Sequence, residues 1–172
     1  KIDLYSYALS SRKVVFNQCP ASSKNIYLYG VMIYREFLKT ETEPERTSQL
    51  VDTLMMIYDR RIENFGQQGL VLGRKGIDLL RYQRESIEEA YGLLKQSVEV
   101  SKSKTEDAVL VTYMQTGVAL FKMGKIEAQE VIDNYLVSTG ILEAKLKKGA
   151  DDRAQTALTN VEAIFSDSGA AS

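Results

Sequence analysis

Histidine and tryptophan are absent from this chain, cysteine occurs once and proline twice in 172 residues. Without histidine there can be no imidazole-based triad, no HExxH zinc site and no Glu-x-x-His di-iron ligand set. The lone thiol, Cys19, rules out an internal disulfide and makes a thiolate metal site implausible. So few prolines leave room for long uninterrupted helices. No apolar run approaches the roughly 18 residues of a membrane span, and no charged-then-apolar leader opens the sequence. Lys1 is not an initiator methionine, so the start is expected to be processed or trimmed, and export stays open. With 22 basic and 23 acidic residues the formal charge is −1, so no bulk field draws the molecule to nucleic acid or an anionic membrane.

What is present is ordinary for a soluble globular chain: 44% hydrophobic and 26% charged residues. Its length suffices to bury about 70% of the surface that the unfolded form exposes. Hydrophobic spacing is helical almost throughout. Leu50, Leu54 and Tyr58 with Val51, Met55 and Ile62 form one stripe, and Ile87, Tyr91, Leu94 and Val98 another. Ile132, Tyr135, Leu136 and Leu142 mark a further helix, and Leu158, Val161, Ile164 and Phe165 the last. Breaks fall at CPASS (19–23), TETEPE (40–45), NFGQQG (64–69), YQRES (82–86), SKSKTED (101–107), MGK (123–125) and KKGADD (147–152). Ser86 with Glu89 is a capping-box pattern that places a helix start. These signals predict an all-α protein of eight helices with short polar links, one domain over 1–165 and a flexible tail over 166–172.

One phrase recurs: GVMIYR at 30–35, GIDLLR at 76–81 and GVALFK at 117–122. Its glycines, Gly30, Gly76 and Gly117, lie 46 and then 41 residues apart, within the range of roughly 20 to 50 that signals a helical repeat. Each phrase is expected to open the first helix of a pair. Glycine suits a point where two helices cross closely, because a side chain would hold them apart; it costs about 1 kcal/mol in helix propensity.

Ala8 stands twelve residues before Pro20, and Ile26, Tyr29-Gly30 and Ile33 follow in the spacing of a tetratricopeptide first helix. Tyr113, Gly117, Leu120 and Gly124 repeat it with Thr116 in place of leucine, and Leu72, Gly76 and Leu79 repeat it with Lys75 at an apolar position. The chain thus resembles the tetratricopeptide repeat family, in degenerate form, since both spacings exceed the usual length of about 34 residues. The stretches NQCPASSKNIYLYGV, LVDTLMMIYDRRI and GLVLGRKGIDLLRY are similar to uncharacterised tetratricopeptide-like proteins exported by anaerobic gut bacteria. The resemblance implies a right-handed α-solenoid of about four antiparallel hairpins, in a fragment of a longer chain from the periplasm or cell envelope.

The resemblance also implies a noncatalytic scaffold that holds a peptide in a concave groove lined by the first helices. By family position those linings are Tyr27, Val31, Tyr34 and Arg35; Gly73, Ile77, Leu80 and Arg81, with Arg74 adjoining; and Met114, Val118, Phe121 and Lys122. Tyr34, Leu80 and Phe121 are expected to form an apolar ridge, and Arg35, Arg81 and Lys122 a basic row suited to an acidic partner or a free carboxylate. Snorkelling of these bases over apolar surface is the competing reading. No cofactor or metal is expected.

Other motifs point elsewhere. VLGRKGIDLL (71–80) imitates the GxxG signature of KH domains, with Arg74 and Lys75 between the glycines, but neither flank alternates like a strand. As a phosphate loop it is one residue short between Gly69 and Gly73, and Arg74 replaces the lysine. Gly66, Gly69, Gly73 and Gly76 read instead as a linker followed by a closely packed helix. Glu127, Glu130 and Asp133 could share a helix face as acid–base groups or calcium ligands, against the plainer reading of a solvated acidic face. A helical hydrolase or enzyme accessory using paired carboxylates is therefore the alternative function.

Overall fold

A computed structural model of the chain describes residues 18–149 and 152–171. Among the described residues seven α-helices follow one another: α1 (Asn25–Thr40), α2 (Pro44–Phe65), α3 (Gln68–Tyr82), α4 (Ile87–Ser101), α5 (Asp107–Lys122), α6 (Ala128–Lys147) and α7 (Asp152–Ser166). Single 3-10 turns lie at Arg84–Ser86 and Lys102–Lys104, and no strand occurs among the described residues. The breaks read from turn residues coincide with the helix ends; Ala8 and the helix expected before CPASS lie outside the described residues. Pro44 opens α2, where its missing N–H is one the helix leaves unpaired anyway. Ser86 does precede α4, yet its side chain makes no capping hydrogen bond, because it closes the 3-10 turn and its backbone lies outside the extended form that capping needs.

By contact the chain divides into two compact units, Lys1–Gln67 and Gln68–Ser172. In the first, α1 packs on α2. Tyr27 meets Phe65 edge-on at 5.7 Å and donates to the Pro20 carbonyl, while Gly30 faces Ile57. Val51, Leu54, Ile57 and Tyr58 are the buried seam of α2.

The second unit is built around α5, which packs against α3, α4, α6 and α7. Its sequence, DAVLVTYMQTGVALFK, is apolar on nearly every side, the pattern of a helix enclosed by others. Val109, Leu110, Tyr113, Met114, Val118 and Leu120 join Leu94, Val131, Leu142 and Val161 in one core. α3 lies close against α4: Cβ atoms built on Gly69, Gly73 and Gly76 would meet Ser101, Ser97 and Leu94 in turn. That descending order makes the pair antiparallel. The stretch read as a linker plus packed helix is thus helical from Gln68 onward, and the GxxG motif lies inside α3 rather than in a loop. Within the segment expected to fray, Ser168 and Ala170 are buried, and Ser168 Oγ donates to the Phe165 carbonyl.

Candidate functional site

The glycine phrase falls on α1, α3 and α5, the first helix of each successive pair. It does not open them: Gly30 lies near the start of α1, Gly76 and Gly117 well inside α3 and α5. Of the positions expected to line a groove, Tyr27, Val31 and Met114 are core side chains, so they have no surface to offer a partner. The helices turn those positions inward, toward the neighbours they pack on. Ile77 and Phe121 are partly buried against the second unit's core, and Tyr34 packs edge-on against Phe37 at 5.9 Å.

The basic positions have local partners. Arg35 donates to the Tyr58 hydroxyl at 3.2 Å. Arg74 forks onto Glu106 at 3.0 and 2.7 Å, tying α3 to the residue before α5. Arg81 lies 3.4 Å from Asp78, whose side chain is wholly buried, and Lys122 donates to the Asp167 carbonyl at 3.3 Å.

Sequence patterning missed a different feature. α4 and α6 flank α5, and between them opens a cleft of about 570 Å³. Lys95, Val98 and Glu99 of α4, with Lys102 of the turn that follows it, supply one wall; Tyr113 of α5 is at its floor; Glu130, Asp133, Asn134, Val137 and Ile141 supply the α6 wall. The helix α6 sits in a register that its apolar residues do not announce. Its buried face carries Val131, Asn134, Ser138, Thr139 and Leu142, while Leu136, one of the apolar residues that mark the helix in the sequence, is 60% exposed.

Asn134 explains this register. Its Nδ2 donates to the Tyr91 hydroxyl at 2.8 Å, and its Oδ1 accepts from the Tyr113 hydroxyl. Tyr91 in turn donates to Glu130 at 2.9 Å, and Lys95 donates to the same carboxylate oxygen at 2.8 Å. The two tyrosine rings stack at 5.3 Å. A buried amide satisfied at both ends holds three helices in one arrangement, since any slip would strand its polar atoms. Gly117 makes this possible: a Cβ there would lie 2.8 Å from Asn134 Nδ2.

Electrostatics follow from that geometry. Burial pushes the Tyr91 and Tyr113 phenols up. The hydrogen bond from Lys95 holds the Glu130 carboxyl below its ordinary value, and the same bond raises the Lys95 ammonium. Glu130 is thus kept ionised, the opposite of what a general acid near neutral pH requires. Of the acidic trio on α6, Glu130 and Asp133 reach the cleft and Glu127 precedes the helix; among the described residues no three His, Cys, Asp or Glu side chains converge as metal ligands. No described helix is long and apolar enough to cross a membrane. Comparison with protein-family models, curated proteins and solved structures finds no match to this chain.

Proposed function

We propose that this chain is a tetratricopeptide-like helical-repeat scaffold that binds a peptide segment of a partner protein, and that the cleft between α4 and α6 is its binding site. The observation that carries the reading is the cleft itself: open, walled by Val98, Val137 and Ile141, rimmed by charged side chains and backed by a rigid tyrosine–asparagine network. Apolar walls supply burial and a polar rim supplies orientation, the usual division of labour in a recognition groove. A repeat of helix pairs is supported by the phrase recurring on α1, α3 and α5. The right-handed solenoid, the longer parent chain and an address in the periplasm or cell envelope belong to the same reading and rest on the family resemblance.

The site differs from the expected one. The row of first-helix bases has its partners within the chain, whereas this cleft is walled by two second helices, α4 and α6, with α5 beneath.

Panning a random peptide display library on the immobilised protein tests the proposal. Enriched peptides should bind the parent chain and fail on Val137→Trp, in which an indole fills the cleft from the exposed side of α6. Val137 is 46% exposed, so this variant retains the fold, as circular dichroism will verify. Failure to enrich any peptide overturns the peptide-binding reading; peptides that bind Val137→Trp unchanged overturn the cleft as the site.

A further inference from the structure

We infer that the segment held in the α4–α6 cleft is basic, presenting a lysine or arginine side chain to Glu99 and Asp133; the inference rests on the peptide-binding reading and specifies its partner. The cleft lining carries three carboxylates, Glu99, Glu130 and Asp133, against two ammonium groups, Lys95 and Lys102. Lys95 and Glu130 neutralise each other at 2.8 Å. Among the described residues Asp133 accepts only the neutral amide of Gln129, at 2.9 Å, and Glu99 accepts no side-chain hydrogen bond and makes no ion pair within 4.0 Å. One carboxylate therefore stands on each wall, Glu99 on α4 and Asp133 on α6; the ammonium groups of the lining are Lys102 and Lys95, the latter one turn from Glu99 and feeling its charge, and the carboxylates outnumber them by one.

An inorganic cation does not fit, since no third ligand converges there among the described residues. A side chain with a cationic head and an apolar stem does: Val98, Val137 and Ile141 accept the methylenes while the carboxylates accept the head. An acidic segment would instead bring its charge against Glu99 and Asp133, which disfavours the partner expected from the first-helix bases.

The same panned library gives the test. Peptides lost on Val137→Trp should share a lysine or arginine at one position. Their affinity should fall about tenfold or more for the double variant E99Q/D133N, and should weaken with added salt. Both side chains are exposed and lie outside the tyrosine–asparagine network, so the double variant should melt with the parent chain. Cleft-dependent peptides that lack a conserved base, or whose affinity the double variant leaves unchanged, overturn the basic-partner inference while leaving the peptide-binding scaffold standing. A library that enriches nothing overturns both.

Discussion

In the hairpin of α1 and α2, a Cβ placed on Gly30 would sit 3.4 Å from Ile57, an ordinary contact; in the hairpin of α3 and α4, one placed on Gly76 would meet Leu94 at 3.0 Å and the Ala90 carbonyl at 3.1 Å. The same six-residue phrase thus occupies two different packings. α3 adds Gly69 and Gly73, whose Cβ atoms would meet Ser101 at 2.1 Å and Ser97 at 2.7 Å, so small residues run along the whole contact with α4. Ser97 closes the seam by donating to the Gly69 carbonyl at 2.6 Å. The difference teaches that recurrence of a glycine marks a repeated position, while only its neighbours reveal whether the glycine is needed.

The largest break is expected at Gly76. Replacing it with leucine drives a side chain into the α4 backbone, which cannot yield by rotamer change, and should cost about 3 kcal/mol. The same replacement at Gly30 meets a flexible isoleucine end and should cost less. Urea unfolding of the two variants compares them directly; equal midpoints would abolish the distinction between the hairpins.

Next comes Gly117, a third kind of case, because its obstacle is the Asn134 side chain. Gly117→Ala should lose about 1 to 2 kcal/mol through displacement of the amide from its tyrosines. Asn134→Ala alone should lose about 2 kcal/mol, since the buried Tyr113 hydroxyl loses its acceptor and the Tyr91 hydroxyl a donor. Combined, the two should cost less than the sum, since the alanine at 117 then has room. A strictly additive double-mutant cycle would show that Gly117 does not serve Asn134.

The comparison also separates what was legible in the sequence from what was not. Helix breaks were readable because Gly, Pro and Ser/Asp clusters act locally. The all-helical class and the seams of α2 and α4 were readable because their buried faces are apolar. The cleft was not, because the inward face of α6 is Asn134, Ser138 and Thr139, and a polar buried stripe looks like a solvated one. An asparagine seventeen positions after a glycine carries no local signal; only the packing of α5 on α6 unites them.

A smaller effect distinguishes the ionised network from the steric seam. Glu130 has its folded-state value depressed by Lys95. Its contribution is therefore present above the unfolded carboxylate value of about 4.3 and disappears as pH falls through the lower folded one. Lys95 and Tyr91 are raised, so their contribution is present below about 10 and fades as pH climbs. Glu130→Gln should flatten the acid limb of a stability–pH curve, whereas Gly73→Ala should lower the whole curve evenly. An unaltered acid limb in Glu130→Gln would remove the carboxylate from the ledger of pH-dependent stability.

The smallest change should be a gain, at Gly140. This glycine lies inside α6 on an exposed face, and a Cβ there meets nothing within 4 Å. Neither close packing nor a positive φ requires it, so only the backbone freedom it gives the unfolded chain remains. Gly140→Ala removes that freedom and should stabilise the fold by about 0.5 to 1 kcal/mol. Gly30→Ala should move the same way but by less, because its new methyl touches Ile57 at 3.4 Å. If thermal melting shows Gly140→Ala neutral or destabilising while Gly30→Ala gains, space around a helical glycine would not predict its tolerance in this chain, and the distinction drawn between the hairpins would fall with it.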